Sequence, residues 1–284
     1  LAKPKPPFSA LYYEHLGKFY DPATRPEGLV NLSVAENRLA SPMLQERLRR
    51  ASNSGVSLSS LAYNPYTGSE PMREALARVL SRHVAKGAVP HENLFLTNGA
   101  GSALWFLATV LAEPGDGVLI PKPYYYAYDR DLTDLCDCQV IPFAAKEGEE
   151  DAYSLASLSA AADAAKASGV QPRLLVVTSP NNPTGAVVSP VKLKSVITWA
   201  QERGIHVIAN EIYACSASTA FRSVLALYQN EAGDAELPSH VHFVWATSKD
   251  FAANGLRCGC IYTNAPEVQA SARALLYFFQ VGGP

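Results

Sequence analysis

No apolar run in this chain approaches the ~18 to 20 consecutive residues that crossing a bilayer requires, and no internal repeat or low-complexity tract breaks it up. The opening Leu1-Ala2-Lys3-Pro4-Lys5-Pro6-Pro7 has no apolar h-region, so it reads as a proline-rich arm and not as a secretory leader. Charge of either sign is scarce: 24 basic against 26 acidic residues leave a net −2. That balance gives nucleic acid or an anionic membrane surface nothing to hold. Cysteine is sparse and odd in number, with Cys136, Cys138, Cys215, Cys258 and Cys260 spread along the chain. A disulfide framework is therefore not expected, and a reducing, cytoplasmic setting is. The two Cys-x-Cys pairs are too tightly spaced for the usual zinc chelate, so no metal is expected. The G-x-G-x-x-G fingerprint is also missing, which excludes a Rossmann dinucleotide site.

What is present suffices for a large core, with 284 residues of which 48% are hydrophobic. Seven apolar, β-branched runs read as strands: Asn93–Thr97, Gly117–Ile120, Gln139–Phe143, Arg173–Thr178, His206–Ala209, Val241–Ala246 and Cys258–Thr263. Helical patterns alternate with them. Met72, Leu76, Val79 and Leu80 share one face of Pro71–Ala85, and Ser102–Ala112 is apolar almost all round, as a buried helix would be. Ser154–Ser168 stops at Gly169, and Ser189-Pro190 pairs an N-cap with proline at the first helical position of a helix through Glu202. Alternation of this kind predicts an α/β fold, a mostly parallel seven-stranded sheet with helices on both faces. Ligands in such sheets sit beyond the carboxyl ends of the strands. There the sequence places Thr97-Asn98-Gly99, Ser179–Gly185, Asn210–Tyr213 and Ser248-Lys249.

Two of these segments carry chemistry on their own terms. Lys249 ends an apolar run, and Arg257 follows eight residues later. A desolvated lysine beside a cation becomes a neutral amine able to attack an aldehyde, and a guanidinium fork suits a phosphate. Asn98-Gly99-Ala100-Gly101-Ser102 opens the buried helix, whose first N–H groups can cradle the same phosphate.

Together with Ser179-Pro180-Asn181-Asn182-Pro183-Thr184-Gly185 and Thr247-Ser248-Lys249-Asp250, these motifs resemble the fold-type I pyridoxal 5'-phosphate (PLP) enzymes of the class I/II aminotransferase family. Ala35-Glu36-Asn37 and Asn64-Pro65-Tyr66-Thr67-Gly68 are similar to segments of its branch containing 1-aminocyclopropane-1-carboxylate (ACC) synthase. The resemblance runs from about Asn31 to the end of the chain. It implies a PLP-binding large domain over 61–265, an arm and part of a small domain over 1–60, and over 266–284 the start of a helix leading to an incomplete small domain.

By the same resemblance, Lys249 is the Schiff-base lysine and Arg257 the phosphate arginine, with Gly99, Ala100, Gly101 and Ser248 lining the phosphate. Tyr125 matches the aromatic stacked on the pyridine ring, and Asn182 and Tyr213 match the partners of its phenolic oxygen. Asn210 takes the place facing the ring nitrogen. Glu36 and Asn37 fall beside the substrate, and Tyr66 matches a tyrosine reaching the neighbouring subunit's cofactor, which implies a homodimer with shared active sites. The implied activity is chemistry at Cα of an amino acid, with transamination first. A C–S lyase of a sulfur-containing natural-product pathway, an ACC synthase-type elimination or cyclisation, and a catalytically silent protein of the same fold stand as alternatives.

The pattern is departed from in two ways. Asn210 stands where the family has an aspartate that keeps the pyridine nitrogen protonated; a neutral amide predicts a poorer electron sink and can donate to an unprotonated nitrogen. Glu211, on the opposite strand face, is not expected to replace it. Gly101 and Ala246 likewise replace hydroxyl residues, with Ser102 and Ser248 as candidate substitutes. The second departure is length: relatives continue beyond the position of Pro284 to the arginine that grips the substrate carboxylate. With Leu1 in place of an initiator methionine, a fragment of a longer protein is expected.

Overall fold

The computed structural model describes residues 14–32, 34–53, 55, 62–145, 153–217 and 220–276; the proline-rich first seven residues and the closing 280–284 lie outside them. All seven expected apolar runs are strands, with ends displaced by no more than one residue: β1 (Leu94–Asn98), β2 (Gly117–Pro121), β3 (Gln139–Phe143), β4 (Pro172–Thr178), β5 (His206–Asn210), β6 (Val241–Ala246) and β7 (Cys258–Thr263). They form one sheet in the order β1-β7-β6-β5-β4-β2-β3. Pairing from β3 through β6 is parallel, whereas β7 runs against both β6 and β1. The reversal has a simple cause. Only residues 247–257 separate β6 from β7, and a parallel return needs a crossover of a dozen or more residues.

Side chains alternate across the sheet and feed two cores. Leu175 and Val177 of β4 join Phe243 and Trp245 of β6 on one face, over Leu158, Val196 and Ile197 of the flanking helices Leu155–Ala167 and Pro190–Glu202. Leu174, Val176, Val244 and Ala246 point the other way, onto Ala103, Leu104 and Leu107 of the helix Gly99–Leu111. Every residue of β6 is buried, as expected of a strand covered on both faces.

Local signals end the helices where expected. Ser189 Oγ accepts from the Lys192 N–H at 3.3 Å and Ser154 Oγ from Ser157 N–H at 3.4 Å, both at helix N-caps. The segment expected as one helix over 71–85 is an α-helix, Glu70–Leu80, prolonged by a π turn, Ser81–Ala85. Leu76 and Leu80 are buried beneath it. Helix Pro266–Leu275 packs Val268 and Ala272 into the second core. Before residue 67 the chain buries little: helix Ser41–Ser52 has no buried side chain, and Leu32 and Leu39 are 91% and 96% exposed. Its anchor to the sheet is Thr67-Gly68. Leu96 N–H donates to the Thr67 carbonyl at 2.9 Å, and Gly68, at φ +101°, lies so close to Leu96 that a Cβ would collide with its side chain.

All five cysteines are free thiols. Among the described residues no helix is long and apolar enough to cross a membrane.

Candidate active site

The polar loops leave the ends of β1, β4, β5 and β6 on one rim of the sheet. Lys249 sits on the short helix Thr247–Asp250 that follows β6. Its neighbour Asp250 fixes that turn: the carboxylate accepts from Trp245 Nε1 at 2.8 Å, Cys215 N–H at 2.9 Å and Ser216 Oγ at 2.7 Å. The lysine's helix is thereby tied to the loop that carries Tyr213. Lys249 is half-buried, and its Nζ donates to the Ala35 carbonyl at 3.3 Å. Burial, and less strongly the Arg257 charge, lower its pKa, while Glu36 opposes them. The charged ammonium is thus less favoured than on a solvated lysine.

Arg257 lies across the start of helix Gly99–Leu111. Its Nη2 donates to the Asn98 carbonyl at 3.4 Å and its Nη1 to the Asn254 carbonyl at 2.8 Å. Gly99 has φ +79°, and a Cβ there would come within 2.5 Å of Nη2. Glycine is what lets the guanidinium reach the helix end. No side chain caps that helix, and Asn98 Oδ1 is buried without a hydrogen-bond partner among the described residues. An uncapped N-terminus beside a guanidinium is an anion site in waiting. The hydroxyls expected to assist divide: Ser248 is buried next to Lys249, but Ser102 Oγ turns back to the Asn98 carbonyl at 3.1 Å. That back-bond is ordinary helical behaviour, and it corrects the role expected of Ser102.

Asn182, after β4, donates from Nδ2 to the Tyr213 hydroxyl at 3.3 Å. Burial raises the Tyr213 phenol's pKa, and the Asn182 bond works against that. Tyr125 is half-buried, with its ring edge-on to Tyr128 at 5.7 Å; burial above all pushes its phenol up to about 12.

At the end of β5, Asn210 is only 5% exposed. Its Nδ2 donates to the Tyr128 hydroxyl at 2.7 Å, and that hydroxyl lies 2.7 Å from Thr178 Oγ1. Tyr128 and Thr178 are the site residues that sequence reasoning missed. The one available signal was the spacing of Tyr128 three residues after Tyr125. Glu211 points away, as expected, and accepts from Val224 N–H at 2.8 Å.

The remaining candidates come from the chain before residue 67. Glu36 pairs with Arg38 at 3.3 Å, and Asn37 Oδ1 accepts from Ala40 N–H at 3.3 Å. Their segment meets Lys249 through the Ala35 carbonyl. Tyr66, 44% exposed, lines a cavity of about 530 Å³ with Arg73, His91 and Arg273.

Comparison with known proteins identifies the family. The sequence family described as aminotransferase class I and II matches residues 27–281. The chain is 34% identical to human 1-aminocyclopropane-1-carboxylate synthase-like protein 1, over 93% of this chain and 54% of that protein. It is 32% identical to 1-aminocyclopropane-1-carboxylate synthase 3 of Oryza sativa subsp. japonica, over 91% of this chain and 60% of that protein. Among solved structures, Thermus thermophilus aspartate aminotransferase with maleate superposes with a TM-score of 0.64 at 25% identity, covering 83% of this chain and 56% of that one. The chain thus spans little more than half the length of these relatives.

Proposed function

This chain belongs to the class I and II aminotransferase family, and from that premise we propose that it binds PLP at Lys249 and acts at Cα of an amino acid as an aminotransferase. The residues present fit such a group. An uncapped helix start with glycine under Arg257 suits a phosphate, and a buried, unpartnered amide oxygen on Asn210 suits the far end of a polar ring. Arg257 and the N–H groups of Gly99, Ala100 and Gly101, with Ser248 beside them, would hold the phosphate. Tyr125 would lie against the ring, Asn182 and Tyr213 would bind its phenolic oxygen, and Asn210 would face its nitrogen. Bound there, PLP supplies an electron sink for charge developing at Cα.

The protein's own part is binding and proton transfer. Lys249 Nζ, with its charged form disfavoured by burial and by Arg257, can take the Cα proton and return it. Glu36 and Asn37 would stand on the substrate side, on the segment that touches Lys249. Tyr66 would serve the second active site of a homodimer, and the protein would work in a reducing cytoplasm.

The observation carrying the reading is the convergence of a depressed lysine, an arginine on an open helix start and the Asn182–Tyr213 pair on one rim of the sheet. Adding PLP to the purified protein should give a visible band that borohydride fixes to the chain. Lys249→Ala should lose that band and slow exchange of an amino group with a 2-oxo acid by about 1,000-fold or more. A protein that stays colourless with PLP, or a band that survives Lys249→Ala, overturns the proposal.

A further inference from the structure

The amide of Asn210 is held from one side only. Nδ2 donates to the Tyr128 hydroxyl at 2.7 Å, and that hydroxyl sits 2.7 Å from Oγ1 of Thr178, the residue directly opposite Asn210 in the β4–β5 register. All three residues are buried. Tyr128 accepts the amide N–H, which leaves its own proton available to Thr178, although either hydroxyl can donate in that pair. With Nδ2 so engaged, Oδ1 remains buried and without a partner among the described residues. Native proteins rarely leave such an oxygen unmatched, and at the ligand rim its missing donor is one the ligand brings.

We propose that Tyr128 is a positioning residue which, by holding Nδ2 of Asn210, turns Oδ1 toward the ring nitrogen of bound PLP, so that the ring binds in its N–H form. The inference rests on the PLP reading above. It reverses the expectation that Asn210 donates to an unprotonated nitrogen. The neutral amide keeps the protonated ring by geometry, where a carboxylate would do so by charge. Tyr128 can do this because it stays a phenol: burial pushes its pKa up to about 12.

The test is ¹⁵N NMR of the protein loaded with ring-¹⁵N PLP, with the PLP dissociation constant measured in parallel. The wild-type ring nitrogen should show the shift and one-bond proton coupling of an N–H group. Tyr128→Phe frees the amide; the signal should move toward the unprotonated position and PLP binding should weaken about three- to tenfold. Thr178→Val keeps the phenol but removes its anchor and should give an intermediate shift, a second reading should Tyr128→Phe fold poorly. A merely structural role would lower the melting temperature and leave the nitrogen signal in place. An unprotonated wild-type nitrogen, or one signal shared by wild type and both variants, overturns the proposal while a Lys249-dependent band leaves PLP binding intact. Absence of that band in the wild type overturns both.

Discussion

Strand β5 begins at His206 and ends at Asn210, and its two ends handle buried polarity differently. At the His206 end the polar atoms close on one another. His206 Nδ1 lies 3.0 Å from His242 Nε2, and His242 Nδ1 lies 2.9 Å from Thr263 Oγ1. At the Asn210 end a similar chain of three, through Tyr128 to Thr178, stops with one amide oxygen unanswered. His242 and Thr263 are as buried as Asn210, Tyr128 and Thr178, so desolvation alone does not distinguish the two ends. What does is whether the chain itself supplies the last partner. A closed set serves the fold, and an open set on the ligand rim serves something that arrives later.

The largest effect is expected from changing the open end. Asn210→Asp puts a charged acceptor where the amide oxygen is, with the Tyr128 hydroxyl turned to donate, and turnover should rise about 10- to 100-fold. Steady-state rates that stay level or fall would mean the amide does not limit the reaction.

The closed end should respond to acid instead. Burial first, then the neighbouring histidines, holds His242 down to about 3, and burial also lowers His206. His242 remains neutral in the folded chain, and His206 takes up its proton later than it would unfolded, while the unfolded chain protonates both. Their stability is therefore present above pH ~6.5 and is lost as pH falls below it. Between pH 7.5 and 4.5 His242 alone accounts for about 3 kcal/mol by this linkage. Urea unfolding should show the pH slope flatten in His242→Gln; identical slopes would remove His242 from the account.

Glu211, next to Asn210 in sequence, gives the opposite sign. Burial pushes its carboxyl up to about 8, so the folded chain keeps a proton that the unfolded chain releases. The stability this lends is full below pH ~4.5 and disappears as pH climbs toward 8. Glu211→Gln should raise the unfolding free energy at pH 8 by about 1 to 3 kcal/mol and change it little at pH 4. A gain of equal size at both values would point to packing and not to titration.

The smallest change concerns the phosphate end. A Cβ added at Gly101 meets no atom within 4 Å, so Gly101→Ser places a hydroxyl on the first helical turn without strain. PLP should bind about three- to tenfold tighter; an unchanged dissociation constant would put the phosphate elsewhere.

The strands were legible because each is a short, mainly apolar run, and the central ones are buried on both faces, a pattern local to the sequence. The reversed direction of β7 was not read, although the short span from β6 allowed it, because apolarity marks burial and not direction. The placement of Lys249, Arg257, Asn182 and Tyr213 along one rim of the sheet was legible because each lies in a local motif next to a strand end. Tyr128 was not: its meaning comes from a partner 82 residues away, and as a lone tyrosine on the helix Ala127–Thr133 it looks like any core aromatic. Ser102 was misread for the converse reason, since its hydroxyl has a nearer acceptor in its own helix.

Arg257 occupies left-handed backbone, with φ +53°. Any side chain with a Cβ is uncomfortable there, and such conformations cost about 1 to 3 kcal/mol. Glycine would relax the turn and strengthen the fold while removing the guanidinium from the helix end. Selection for durability and selection for anion capture thus pull this one position in opposite directions, and an arginine retained there marks which of the two has prevailed.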